Sequence, residues 1–363
     1  MKRKDHFSIS NMSNLREFYN GKRVFITGHT GFKGTWLTRM LLLMGADVTG
    51  YSLEPPTDPS LFEMSETSRD IAHIIGDVRD REKLVATLLD AKPDIVLHLA
   101  AQPIVRESYK YPAYTYETNV MGTVNICEAV RLSDTVKSFL NVTTDKVYLN
   151  DDIDRPEGFR EDEQLDGYDP YSNSKSCSEL VTHSYIRSFF NEKGIAVSTA
   201  RAGNVIGGGD YAIDRIIPDC VRAAEKGETI IVRSPYSIRP YQHVLEPLRA
   251  YLMIAMEQYE DKSKAGYYNV GPDDTDCIET GKLVDLFCKA WGEGASWEER
   301  SDGGPHEATF LKLNCDKLKE TFSWEPSWNI EKAVRMVVQF EKAKSTSSAE
   351  IREEMEKEIN EMV

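Results

Sequence analysis

Tyr171 and Lys175, in "YSNSK", stand four residues apart, so a helix would place a phenol and an ammonium on one face. A nearby ammonium stabilises phenolate and lets a tyrosine act as a base toward a hydroxyl. Upstream, "NVTTDKVY" sets Thr144, Asp145 and Lys146 side by side. That triplet offers a hydroxyl, a carboxyl that can donate a proton when neutral, and an amine. The amine becomes a base only when burial or a neighbouring cation depresses its pKa, and Lys175 could supply the second effect. The same residues would suit a solvated charge pair and an ordinary surface helix, because Y-x-x-x-K is common by chance. What surrounds them must decide.

The surrounding pattern is a series of strands alternating with helices. "RVFITG", "DVTGYS", "HIIGDV", "DIVLHLA", "SFLNVTT" and "AVSTAR" read as six strands, with helical stretches between them such as "FKGTWLTRMLLLMG" and "YTYETNVMGTVNICEAVR". Strands alternating with helices imply a parallel sheet covered on both faces. "TGHTGFKG" joins the first strand to the first helix, placing Gly28, Gly31 and Gly34 in G-x-x-G-x-x-G. Glycines there allow a tight turn and close approach of backbone to a pyrophosphate, and the helix N-terminus offers unpaired N–H groups. Phe32 and Lys33 lie in the same loop, where the lysine could touch a phosphate or point into solvent. Asp77 and Val78 end the third strand, where a carboxylate and backbone atoms can meet an adenine. Small Ala100 and Ala101 end the fourth, and Thr143 sits near the end of the fifth. The second strand ends in Tyr51 and Ser52 with no arginine directly after, which favours NAD over NADP. The usual acidic residue at that tip is also missing, and Glu54 is the nearest carboxylate. His98 reads as a core histidine rather than a catalyst.

The fold class expected is therefore α/β, a Rossmann-type doubly wound parallel sheet with a smaller C-terminal α/β substrate lobe. Residues 1–20 read as a polar extension, 21–203 as the NAD-binding domain, 204–335 as a partly interleaved substrate lobe, and 336–363 as a charged tail, helical or in part disordered. A formal net charge of -15 argues against a nucleic-acid binder. The apolar run "MLLLMGADV" is too short to span a bilayer. Six cysteines with no C-x-x-C pair argue against a zinc or redox centre and fit a reducing cytoplasm.

"TGHTGFKG", "GDV", "HLAAQ", "NVTTDKVY" and "YSNSK", in that order, resemble the extended short-chain dehydrogenase/reductase family over about residues 22–330. Within it the chain is similar to the nucleotide-sugar 4,6-dehydratases, above all the CDP-glucose branch, through "GHTGFKGTWL", "TTDKVY", "ARAGNVIGGGD" and "HEATFLKL". Most such dehydratases carry Thr-Asp-Glu, and here Lys146 takes the third place. The resemblance implies bound NAD, a nucleotide-sugar substrate, and a homodimer formed through helices near 113–131 and 171–190. It implies that Tyr171 deprotonates the sugar 4-hydroxyl, that Thr144 fixes that hydroxyl, and that Asp145 and Lys146 divide the acid and base work of elimination, either assignment being open, with Lys146 the candidate base for the C5 proton and Asp145 the candidate acid for the departing C6 hydroxyl. It implies substrate contacts at Arg106, Asn204, Arg239 and His306. A 4-epimerase or a dehydratase for another nucleotide sugar is the nearest alternative. A non-catalytic NAD sensor would not need Thr144, Tyr171 and Lys175.

Overall fold

The computed structural model describes residues 14–151, 153, 155–300, 303, 310–343 and 347–362. Six strands follow in chain order: β1 (Arg23–Thr27), β2 (Asp47–Ser52), β3 (Ala72–Ile75), β4 (Ile95–His98), β5 (Ser138–Thr144) and β6 (Ala196–Ala202). With the later strand Tyr267–Val270 they make one seven-stranded sheet. Its spatial order is Tyr267–Val270, β6, β5, β4, β1, β2, β3, and every pairing is parallel. The order reverses between β1 and β4. A crevice opens at such a point, beyond the C-terminal ends of the strands, and ligands bind there.

Strand residues alternate between two cores, as a period of two requires. Val24 and Ile26 of β1 join a core with helices Phe32–Leu43 and Leu245–Glu260, while Phe25 joins a core on the other face. That second core includes Leu84 and Leu88 of helix Arg81–Ala91, and Ile126 and Val130 of helix Gly122–Leu132. A smaller cluster unites helices Ile216–Glu225, Thr280–Trp291 and Ile330–Ala343 through Val221, Phe287 and Val337.

The lobe and the sheet share chain. Helix Leu245–Glu260 and strand Tyr267–Val270, inside the expected lobe, build the main sheet layer. The expected break at 335/336 falls within helix Ile330–Ala343.

Among the described residues, both terminal stretches pack onto the core, where the sequence reading expected a polar arm at one end and a charged tail, helical or in part disordered, at the other. Residues 14–19 are helical, Leu15 and Tyr19 are buried, and the Tyr19 hydroxyl donates to the Leu252 carbonyl at 2.8 Å. Helix Ser348–Met362 buries Ile351, Met355, Ile359 and Met362 in the core beside Phe32–Leu43. Its apolar residues are few but fall at helical spacing, so one stripe packs while the charged remainder faces water. Ile359→Ala should therefore lower unfolding free energy by about 2–4 kcal/mol in urea titration, whereas a disordered tail would give no change.

Candidate functional site

Gly28 follows β1 with a φ of 81°, and a Cβ there would come within 2.7 Å of the Ala100 nitrogen. A Cβ on Gly34 would come within 2.0 Å of the Gly28 carbonyl oxygen. These two glycines are demanded by the protein's own packing. Gly31 is different: a Cβ there would meet only the Gly28 oxygen, at 3.5 Å. Gly31 caps helix Phe32–Leu43 without a side-chain hydrogen bond, and the helix has no acid in its first turn. The space above a free helix N-terminus is a cradle that suits a pyrophosphate. Phe32 packs against the core beside Gly207.

At the end of β3, Arg79 grips the Asp77 carboxylate with two guanidinium nitrogens, at 3.0 and 2.6 Å. Burial pushes that carboxyl up, but the hydrogen bonds and charge of Arg79 outweigh it and hold it below the usual value. The Val78 carbonyl accepts from Asn125 at 2.8 Å. Ala100 and Ala101 sit half-buried where β4 ends. His98 lies two residues before Ala100, its Nδ1 2.6 Å from the Thr27 hydroxyl. Burial, then the charge of Lys175, lowers it to about 3, so it is a neutral core residue.

At the end of β5, the Thr144 oxygen caps the short turn Asp145–Val147 by accepting from the Lys146 N–H at 3.5 Å. Its hydroxyl donates to Asp145 Oδ1 at 3.0 Å, and it stands close enough to Tyr171 to favour the phenolate. Asp145 is only 2% exposed, and its Oδ2 has no hydrogen-bond partner among the described residues. Burial raises its pKa against the opposing pull of Lys146, Thr144, Arg239 and Lys33. A buried carboxyl held toward its neutral form is what a proton donor requires. A Cβ on Gly203 would lie 2.8 Å from that Oδ2.

Tyr171 opens helix Pro170–Tyr185, which Asp169 caps by accepting from the Ser172 N–H at 3.0 Å. Tyr171 and Lys175 lie one turn apart, but their electrostatics differ from the sequence expectation. Burial pushes the phenol up to about 12, and the Thr144 hydrogen bond and the Arg215 charge oppose it. Lys175 instead donates to the Val142 carbonyl at 3.1 Å, which turns its ammonium toward the strand. Burial lowers Lys175 to about 8, with Glu179 opposing. Lys33 extends from the glycine loop toward Asp145, Lys175 and Arg215, with its ammonium 5.9 Å from the Tyr251 ring centre. Burial and the two cations lower it to about 8, so it belongs to the reaction centre more than to the phosphate cradle. Lys146 is half-buried beside Asp145.

Of the expected substrate residues, Arg239 is buried on the short strand Ile238–Pro240 and acts electrostatically on Asp145. Asn204 follows Gly203, half-buried, and its carbonyl accepts from the Gln242 N–H at 3.1 Å. Arg106 lies on helix Val105–Lys110, which packs against Pro170–Tyr185. His306 lies outside the described residues. Sequence reasoning missed Arg215, Gly203, Tyr251 and the buried pair of Glu179 and Arg201. Glu179 alone carried a local signal, as the third member of the four-residue series 171, 175, 179.

Glu179 accepts from Arg201 at 3.0 Å, from Thr199 at 2.7 Å, and from Thr143. Burial would push its carboxyl up, but Arg201, His183 and Thr143 outweigh burial and bring it from 4.5 to about 2. A depressed carboxylate stabilises the fold above its unfolded pKa and loses that contribution as pH falls through the folded one. Stability should thus decline between about pH 4.5 and about pH 2 through Glu179. In urea titrations across that range, Glu179→Gln should flatten this decline and cost about 3–5 kcal/mol at neutral pH, because Arg201 is left buried and unpaired.

A parallel doubly wound sheet with a glycine cradle at the switch point and a Thr/Tyr/Lys centre beyond β5 defines a nucleotide-dependent oxidoreductase-type site. Residues 25–337 match the family model described as GDP-mannose 4,6 dehydratase, and the chain belongs to that family. It is 47% identical over 334 residues to CDP-glucose 4,6-dehydratase of Salmonella typhimurium, spanning 90% of this chain and 92% of that one. Two solved structures share the fold. dTDP-glucose 4,6-dehydratase from Bacillus anthracis in complex with NAD has a TM-score of 0.73 at 21% identity, over 89% of this chain and 97% of that one. Thermus thermophilus UDP-glucose 4-epimerase complexed with NAD has a TM-score of 0.76 at 21% identity, over 89% of this chain and all of that one (100%).

Proposed function

We propose that this protein is a nucleotide-sugar 4,6-dehydratase that converts CDP-glucose to its 4-keto-6-deoxy product through bound NAD. The observation that carries the reading is Asp145: a buried carboxyl, biased toward its neutral form, joined through Thr144 to the phenol of Tyr171. Elimination of water needs such an acid in addition to the tyrosine base, and epimerisation at C4 does not. The likeness to the Salmonella enzyme supports both the reaction and the nucleotide.

NAD, when bound, accepts a hydride from C4 and returns it to C6. Gly28, Gly31, Phe32 and Gly34 would hold its pyrophosphate side, Asp77 and Val78 its adenine side, and Ala100, Ala101, Thr143, Tyr171 and Lys175 its nicotinamide side, with Lys33 reaching from the glycine loop toward that last end. Tyr171 as phenolate removes the 4-hydroxyl proton, with Arg215 favouring the anion. Oxidation at C4 makes the C5 proton acidic, and Lys146 removes it and later returns it. Asp145 gives its proton to the C6 hydroxyl, which leaves as water. Arg106, Asn204, Arg239 and His306 are proposed to hold the sugar and its diphosphate; guanidinium geometry suits the phosphates. Among the described residues no helix is long and apolar enough to cross a membrane.

With CDP-glucose and NAD, the purified protein should form a product lighter by one water, with an alkaline 4-keto absorbance and no accumulated NADH. Water loss from a different nucleotide sugar alone would move the substrate, and isomerisation without water loss would replace the dehydratase with an epimerase.

The protein is also proposed to dimerise by packing two helical stretches per subunit, residues 112–132 and 170–190. Met121 and Leu180 on these stretches are 49% and 52% exposed, and Phe189 is exposed as well. Large exposed apolar side chains on these stretches favour a partner of the same kind. Leu180→Glu should shift the sedimenting species from dimer to monomer in analytical ultracentrifugation, and a wild-type monomer would sink the proposal.

A further inference from the structure

The proton ledger of the proposed dehydration does not close within one turnover. Tyr171 ends with the proton it took from O4. Asp145 ends without the proton that left in water. Lys146 borrows and returns the C5 proton, and the hydride is returned to the same sugar, so neither step offsets the difference. A turnover that begins with phenolate and carboxylic acid ends with phenol and carboxylate. One proton must pass from Tyr171 to Asp145 before the next substrate reacts.

We propose that Thr144 carries this proton, its hydroxyl acting as a relay between Tyr171 Oη and Asp145 Oδ1. The inference rests on the dehydratase reading above. A hydroxyl has one proton to give and two lone pairs to receive. At Thr144 the Lys146 N–H meets the oxygen and its proton goes to Asp145 Oδ1 at 3.0 Å, while the second lone pair is left for the neighbouring Tyr171 to donate to. In the relay the Tyr171 O–H bond breaks and its proton joins Thr144 Oγ1. The original Thr144 O–H bond breaks and that proton joins Asp145 Oδ1. Thr144 remains neutral and now donates to the phenolate, and no heavy atom has to move. A half-turn of the carboxyl about its Cβ–Cγ bond exchanges its two oxygens. That brings the proton to the Oδ2 side, which has no hydrogen-bond partner among the described residues and adjoins Gly203.

Competing routes are longer. Asp145 and Thr144 are both buried, so direct exchange with bulk water is obstructed. Lys175 is hydrogen-bonded to the Val142 carbonyl rather than to Asp145. Burial at Asp145 favours the end state of the relay, as does Arg215 beside Tyr171, and burial of the phenol opposes it.

The test is a rapid-quench time course with NAD-loaded protein and excess CDP-glucose, comparing wild type, Thr144→Ser and Thr144→Val. Valine keeps the shape and removes the relay. Thr144→Val should release a burst of about one product per subunit and then continue at least about 100-fold more slowly than its own first turnover, the scale of a lost proton-transfer group. Serine keeps the hydroxyl and should turn over continuously. The burst itself reports a folded, competent site. If valine slows the first and later turnovers by one common factor, or if serine stalls as valine does, Thr144 is not the relay. If wild type releases no water from CDP-glucose while dehydrating another nucleotide sugar, the same time course is run with that sugar. If it dehydrates none, the dehydratase reading falls and the relay with it.

Discussion

The buried ion pair between Glu179 and Arg201 is the interaction on which the reaction centre depends. Both side chains are fully buried, and the pair joins the Pro170–Tyr185 helix to β6 while Thr143 joins it to β5. Such a pair is weak evidence for net stability, because desolvating two charges offsets much of their attraction. Its value here is positional. Glu179 lies one turn beyond Lys175 and two beyond Tyr171, so anchoring it sets the rotation of the helix face that carries both. Tyr148 adds a second restraint, donating to Asn269 at 2.6 Å while its oxygen accepts from Arg201 at 2.8 Å. The chain that follows Thr144 is thereby tied to the edge strand Tyr267–Val270.

Above this anchor the site is a single buried acid among cations. Lys33, Lys146 and Arg239 all act on Asp145, while Lys33 also feels Lys175 and Arg215. The balance explains two opposite shifts at once. Burial dominates at Asp145 and raises it, so the acid is not simply ionised by its neighbours. Burial and mutual repulsion dominate at Lys33 and lower it to about 8. A site of this kind carries groups able to exchange protons near neutral pH without any single residue of unusual type.

Much of this was legible in the sequence, and the reason is local periodicity. The six strands, the glycine cradle and the pairing of Tyr171 with Lys175 follow from spacings shorter than about ten residues, where helix and strand geometry dictate which side chains share a face. The seventh strand escaped as a member of the main sheet, because pairing Tyr267 with Thr199, 68 residues apart, leaves no local mark. The chain ends misled for a related reason: sparse apolar residues in a charged stretch look disordered until a partner surface buries their stripe. Arg215, Tyr251 and Arg239 reach the centre from three distant segments. Only Arg239 was anticipated, through resemblance rather than spacing. The direction of Lys175 escaped as well, because the Val142 carbonyl that captures it belongs to a strand 33 residues away.

Gly203 shows how sheet register writes chemistry that residue type alone does not announce. β5 and β6 run parallel with Thr144 opposite Ala202, so the residue after each strand must lie beside the other. Those residues are Asp145 and Gly203. Any side chain at 203 would press on Asp145 Oδ2, which has no hydrogen-bond partner among the described residues. Shifting the register by one residue would also turn Thr144 to the opposite face and break its contact with Tyr171. The acid, the hydroxyl and the close approach of Gly203 to the acid are therefore one consequence of one strand pairing. That pairing is held in place by Arg201, directly opposite Thr143, where the buried carboxylate of Glu179 binds both.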